Sequence, residues 1–425
     1  MIISKNRLRT FITAMFMASL LIFNIGCDNG SSNNSSNNEE TITVPDYDCG
    51  KFTPGSTSVE MAAKMAIGWN LGNTLDATNW ENKANAGLST ETGWGMPKTT
   101  KEMIDTVHKA GFKTIRIPIS WHNHISDTSN FTIDADWMAR VKEIVDWAYN
   151  QDMCVIINIH HDNFKASELV EGRGFALSKD TDIQTASKTY ISKVWTQIAT
   201  TFANYDNKLV FEVLNEPRDV DGVEFGNEWN YSGKDACDII TSYEQAGLDA
   251  IRAVSGNENR FVMVPGYAAS GTNVNMLKNF AFPTDTATDK LILSGHAYSP
   301  YIFAMGDKEH TTFTDGYDGE LSSIFSFLKT NYTDKGIGVV MGEASATDKK
   351  NTAERIKWVN SYYSKAKDSG IPVVLWDNMN NTGDDIAEHH GYFNRNSKSW
   401  YYPSIIVAMM KVVYGDGYAD TNTTE

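Results

Sequence analysis

The sequence predicts an α/β protein, a single (β/α)8 TIM barrel with its active site at the carboxyl ends of the strands. Three observations predict it. Short apolar, β-favouring runs alternate with longer amphipathic segments, the pattern of strand–helix units and a parallel sheet. Eight such units fit into about 370 residues with room for long rim loops, and neither a second domain boundary nor a repeat interrupts them. Polar residues of catalytic type gather at the carboxyl ends of the runs and not at the other ends. Stability alone does not predict that asymmetry, because surface polar groups should scatter over both faces.

The elements follow in order. The strand runs are residues 66–71, 114–119, 155–159, 209–214, 260–264, 290–294, 338–341 and 372–375. Helical stretches are expected over 99–110, 136–150, 183–204, 234–254, 320–331, 351–369 and 403–414, with only one or two turns over 271–280. The fourth run, Leu209 to Leu214, is the anchor of the scheme. Its apolar residues read as a buried strand, and Pro217 forbids continuing the ladder, so Asn215 and Glu216 sit where the chain turns outward.

Ahead of the barrel, Lys5, Arg7 and Arg9 precede an apolar run from Phe11 to Ile25. A basic segment followed by an apolar run too short to span a bilayer comfortably is an export signal. It ends in Asn24-Ile25-Gly26-Cys27, which resembles a bacterial lipoprotein lipobox, although Asn24 stands where an aliphatic residue is usual. Cys27 is therefore the expected lipidation site, with a plain signal peptide as the alternative. Residues 1–27 are read as the signal, 28–45 as a flexible Gly/Ser/Asn-rich spacer, and 46–425 as the barrel. The expected location is the bacterial cell envelope or surface by a lipid anchor, otherwise the medium.

Composition narrows the function. Hydrophobic residues make up 41% of the 425, enough for a large core, and eleven Trp with eighteen Tyr offer flat rings for sugar faces as well as for packing. A net charge of −16 argues against nucleic acid as a partner and fits a neutral substrate. The four cysteines show neither metal-ligand spacing nor a redox pair. Cys154 lies in an apolar run and reads as a buried thiol, while pairing of Cys49 with Cys237 stays open.

At the strand ends the residues are Asn73 after the first, Arg116 on the second, His160-His161-Asp162 after the third and Asn215-Glu216 after the fourth. Pro265-Gly266-Tyr267 follows the fifth, His296 and Tyr298 the sixth, Glu343 the seventh, and Trp376-Asp377 the eighth. Two glutamates on strands four and seven are the chemistry of glycoside hydrolysis: one must give a proton to the leaving oxygen, the other must attack as an anion. Their environments should therefore drive their pKa values apart. Arg116 and Tyr298 can keep Glu343 anionic, Asn215 can donate to a sugar 2-hydroxyl, and Trp376 offers an apolar floor.

The segments Ile67 to Asp76, Arg116 to Trp121, Asn158 to Asp162, Leu214 to Pro217, His296-Ala297-Tyr298, Gly342-Glu343 and Leu375-Trp376 together resemble glycoside hydrolase family 5. The likeness covers residues 60–415 and, at the opening segment and Trp121-His122-Asn123-His124, points to subfamily 4, the broad endoglucanases and xyloglucanases. The resemblance implies a retaining mechanism with Glu216 as acid/base and Glu343 as nucleophile, supported by Arg116, His160, Asn215, His296, Tyr298 and Trp376. Ala344-Ser345 departs from the aromatic and small residue often found after that nucleophile.

Other residues have blander readings beside the functional one. Adjacent histidines on a strand point to opposite faces, which argues against an ion shared by His160 and His161, and His161 is open between site and scaffold. Glu212 shares parity with Glu216 and reads as half of a buried ion pair. Trp80, Trp94 and Trp229 lie in predicted loops, where they stack on sugar or pin the loop. His108 and His124 read as ordinary, and Asp377 as a weaker catalytic candidate than either glutamate. The resulting expectation is a monomeric endo-β-1,4-glucanase acting on β-glucan with no metal or cofactor. A mannanase or xylanase is the second reading, and a non-catalytic glycan-binding lipoprotein the third.

Overall fold

The computed structural model describes residues 42–79, 81–306 and 308–418. Eight parallel strands close into a barrel: β1 (Ile67–Asn70), β2 (Thr114–Ile117), β3 (Cys154–Asn158), β4 (Leu209–Glu212), β5 (Val262–Ser270), β6 (Leu291–His296), β7 (Gly338–Ala344) and β8 (Val373–Leu375). Strands adjacent in sequence pair with one another, and β1 closes on β8 through Ile67–Val373, Gly68–Val374 and Trp69–Leu375. All eight sequence-predicted strands are present. The helices are α1 (Ser58–Met65), α2 (Lys101–Lys109), α3 (Ala135–Tyr149), α4 (Thr181–Thr201), α5 (Lys234–Arg252), α6 (Val274–Asn279), α7 (Tyr301–Ala304), α8 (Asp315–Asn331), α9 (Thr352–Asp368) and α10 (Pro403–Tyr414).

Element ends differ from the sequence reading where capping chemistry decides them. Helix α4 begins earlier because Asp180 accepts hydrogen bonds from the Asp182 and Ile183 amides, and α8 begins at Asp315 because Thr314 caps it. Strand β5 runs past Pro265 to Ser270 through a register shift, with Ala268 and Ala269 at positive φ. Tyr267 is consequently buried and its hydroxyl donates to the Asn227 carbonyl, so it braces the loop after β4.

Helix α1 closes the amino-terminal end of the barrel. Met61, Ala62 and Met65, with Phe52, pack on the inward residues Cys154, Ile156, Val210, Phe261, Met263, Ile292, Val340 and Val374. Contact is tight at Gly338, whose amide donates to Ser58 Oγ at 3.0 Å and where a Cβ would lie 2.2 Å from the Ser58 carbonyl oxygen. Only a glycine lets the strand approach the helix so closely. The outward faces of the strands pack against the helices in one continuous core that includes Trp69, Trp137, Trp195 and Trp358.

Moving two residues toward the carboxyl end, the inward positions turn polar: Ile156 gives way to Asn158, Val210 to Glu212, and Ile292 to Ser294 and then His296. The switch puts a hydrogen-bonded polar layer on top of an apolar plug. That layer is where the site begins.

Cys49, Cys154 and Cys237 are free thiols, so Cys49 and Cys237 are not bridged. Val44 and Tyr47 pack against the core. Cys27, the signal segment, residues 28–41 of the spacer and Trp80 lie outside the described residues. Among the described residues, no helix is long and apolar enough to cross a membrane.

Candidate active site

Register brings the first group of residues together. Arg116 is the Cα partner of Asn70 on β1 and of Ile156 on β3, and Asn158 is the partner of Glu212 on β4. The fully buried Arg116 fills the axis with its guanidinium. Its Nε donates to Glu212 Oε2 at 2.8 Å, Nη1 to Glu343 Oε1 at 2.7 Å and to Asn70 Oδ1 at 2.9 Å, and Nη2 to Asn215 Oδ1 at 2.7 Å. Glu212 also accepts from Asn158 Nδ2 and from Ser294 Oγ, so it is the buried ion-pair partner read from its parity.

Glu343 is held from both sides. Arg116 serves one oxygen, and the Tyr298 hydroxyl donates to the other at 2.8 Å. Burial and the neighbouring Glu343 and Glu216 carboxyls push the Tyr298 phenol well up, so it stays a donor. Because Arg116 occupies Asn215 Oδ1, the Asn215 amide is oriented with its NH2 group left to donate into the cleft.

Glu216 meets a different partner. Its Oε1 lies 2.8 Å from His296 Nδ1, and the same nitrogen is 3.7 Å from Glu343 Oε2. One oxygen each of Glu216 and Glu343, with His296, fall within 4.8 Å of one another. Desolvation pushes the Glu216 carboxyl up, but the hydrogen bond and charge of His296, with the charge of Arg218, bring it below the usual value. Burial pushes His296 down, yet Glu343 and Glu216 lift it above the usual imidazole value. With Glu216 held down by His296 and His296 lifted by the two glutamates, the pair forms a hydrogen-bonded two-residue unit. Gly342 permits this placement, since a Cβ there would stand 3.3 Å from His296 Nε2.

The walls come from loops and strand ends. Trp376 is 9% exposed and lies parallel to His160, with ring centroids 6.0 Å apart. Burial holds His160 well below the usual imidazole range, so its Nδ1 accepts from Asn158 Nδ2 at 3.1 Å and Nε2–H is left to donate toward the cleft. His161 corrects the strand-alternation argument. Both histidines lie beyond the last residue of β3, and their rings meet edge to face at 4.4 Å rather than pointing apart.

Asp76, His160 and His161 offer three donor atoms within 4.8 Å, but Asp76 already accepts from the Asn73 and Thr74 amides, and burial raises it to about 7. Asn73 takes part through its backbone, at positive φ. Trp94 leans on His161, and the exposed Trp229 stacks on the Arg218 guanidinium at 4.0 Å. Asp377 accepts from Trp69 Nε1 and the Phe393 amide, a structural role.

Sequence reasoning missed Asn70, Asn158, Ser294 and Arg218. The first three share inward parity with Arg116 or Glu212 near their strand tops, a signal that was available. Arg218 follows Glu216 by two residues, donates to its carbonyl at 3.2 Å and pairs with Glu228 at 3.0 Å.

Residues 76–382 match the family model described as Cellulase (glycosyl hydrolase family 5). The chain belongs to glycosyl hydrolase family 5. Endoglucanase A of Ruminococcus albus is 38% identical over 84% of this chain and 92% of its own. Endoglucanase A of Clostridium longisporum is 39% identical over 83% of this chain, which spans 65% of that relative. A broad-specificity endoglucanase of subfamily GH5-4 from Ruminococcus champanellensis, solved with bound cellotriose, superposes with a TM-score of 0.76. It is 37% identical over 84% of this chain and 98% of its own. A xyloglucan-specific family 5 endo-β-1,4-glucanase from a metagenomic library, in complex with cellotriose, gives 0.73 at 32% identity over 82% and 97%. The subfamily 4 resemblance is borne out.

In this family 5 chain, Arg116→Ala should cost about 3–5 kcal/mol of stability, because it leaves Glu212 buried without its cation. Arg116→Lys should not restore the full amount, since an ammonium cannot reach four acceptors in one plane. Urea unfolding at neutral pH checks both.

Proposed function

We propose that this protein is a retaining endo-β-1,4-glucanase, monomeric and independent of metal or cofactor, that cuts cellulose-like glucan, mixed-linkage β-glucan and xyloglucan. The observation that carries the mechanism is the approach of Glu216 and Glu343 oxygens to within 4.8 Å. Retaining enzymes hold the two carboxyl groups about 5–5.5 Å apart, whereas inverting ones need about 6.5–9.5 Å to admit water. The substrate class is supported by the relatives' names and by Trp376, whose ring lies parallel to His160 at the strand ends.

In this reading Glu343 attacks the anomeric carbon. Arg116 and Tyr298 orient its two oxygens, and their hydrogen bonds are relinquished as its charge passes into the glycosyl bond. Glu216 protonates the leaving oxygen and then, as a carboxylate, takes a proton from the incoming water. The His296 unit supplies the first proton: a sugar closing over Glu216 excludes water, favours the neutral pair, and moves the proton along the 2.8 Å hydrogen bond. Asn215 and His160 donate to sugar hydroxyls, and Trp376 forms the floor.

The purified protein should lower the viscosity of carboxymethyl cellulose, β-glucan and xyloglucan with few new reducing ends, release the β-anomer first by proton NMR, and cut mannan slowly or not at all. Glu343→Ala should be inactive, and azide should rescue Glu216→Ala to a β-glycosyl azide. Mannan cut faster than every glucan, or the α-anomer appearing first, sinks the reading.

The pH profile follows from His296. With its pKa raised, the unit keeps its proton through the ordinary imidazole range and loses it only as pH climbs through the raised value, which sets the alkaline limb of kcat/KM. His296→Gln leaves the proton to Glu216 alone. The alkaline limb should then move to lower pH, with kcat down about 10²-fold or more.

We also propose export and anchoring through Cys27, supported by the basic and apolar leader and its lipobox-like end. The native full-length chain should require detergent for release from membranes, and Cys27→Ser should free it. Wild-type protein found wholly in the medium overturns the anchor.

A further inference from the structure

Ser345 and His390 are far apart in the chain and meet behind the nucleophile. The segment after β8 returns to the extension of β7 and is clipped there by successive contacts: the Asp348 amide donates to the His389 carbonyl, Tyr392 Oη donates to the Ala346 carbonyl at 2.8 Å, and Ser345 Oγ is hydrogen-bonded to His390 Nδ1. Both Ser345 and His390 are buried, and neither belongs to the machinery assigned above. The His390 ring lies against Tyr298, with centroids 5.4 Å apart and planes inclined at 57°. Tyr298 in turn donates to Glu343 Oε2.

We propose that His390 is a positioning residue: gripped by Ser345, it backs the ring of Tyr298 and so keeps the Tyr298 hydroxyl on the nucleophile Glu343. The phenol turns about its side-chain bonds, and a hydroxyl aimed at one carboxylate oxygen needs a wall behind the ring. An aliphatic side chain would fill space without being held in register, whereas an imidazole tied to the strand that carries Glu343 moves with the group it serves. The charged groups around His390 are Arg355 of α9 and Lys349. Burial, with those positive neighbours, pushes the imidazole down to about 3, so it is neutral at working pH. Nδ1 is thus free to accept from the Ser345 hydroxyl.

The inference rests on Glu343 being the nucleophile, so the Glu343→Ala result comes first. A parent enzyme that fails that test removes the premise, and one that passes it leaves the following cycle to judge His390 alone. Full-length His390→Ala and Ser345→Ala are assayed on carboxymethyl cellulose in the wild-type and Tyr298→Phe backgrounds, with thermal melts to confirm folding. His390→Ala should lower kcat about ten- to hundredfold, the worth of a hydrogen bond to a charged group, and leave KM within about threefold. Ser345→Ala should act in the same direction and more weakly. In the Tyr298→Phe background neither should lower kcat further, because the interaction they protect is already gone. Losses that multiply in both backgrounds, or a wild-type kcat in folded His390→Ala, overturn the proposal. If His390→Ala does not fold, the same cycle with Ser345→Ala decides it.

Discussion

A guanidinium buried on the axis of a barrel is the constraint to which the rest of the site answers. Desolvating that charge is costly unless every N–H finds an acceptor and the charge finds an opposite one. Arg116 meets both demands with Glu212, Glu343, Asn70 and Asn215, drawn from β4, β7, β1 and the turn after β4. Glu212 is therefore as necessary to the layer as Glu343. It neutralises the cation and leaves the cation's remaining donors to Glu343, Asn70 and Asn215. The planarity of the fork then fixes where Glu343 and Asn215 stand relative to each other.

Against that charged layer, Glu216 sits in a separate electrostatic setting. It is hydrogen-bonded to His296, which lies between the two glutamates. The two carboxyls are distinguished less by depth than by partner. One is paired with a guanidinium that never titrates and the other with an imidazole whose pKa the two glutamates raise.

Much of this was legible in the sequence, and the parts that were not share a cause. Period-two patterning and strand-end polarity yielded all eight strands and both glutamates, because barrel geometry converts a position in the strand directly into a position in the mouth. The same logic misled at His160-His161, where it was applied past the last paired residue, and at Tyr267, where a bulge carried β5 beyond its proline. It could not reach the proton balance of Glu216, which depends on a histidine two strands away. Nor could it find Ser345 with His390: no spacing rule joins a residue after the seventh strand to one in the loop after the eighth. Contacts made by the chain's return over the barrel are invisible to any local period.

The placement of the hydrogen-bonded groups on strand ends, with Trp94 and Trp229 out on loops, bears on how such a protein can change over time. Strands in a closed barrel are locked in register by neighbours on both sides, so a substitution there propagates through the ring. A loop insertion or an exchanged tryptophan shifts only what lies above the rim. Change in the loops is thus mechanically insulated from the hydrogen-bonded layer at the strand ends.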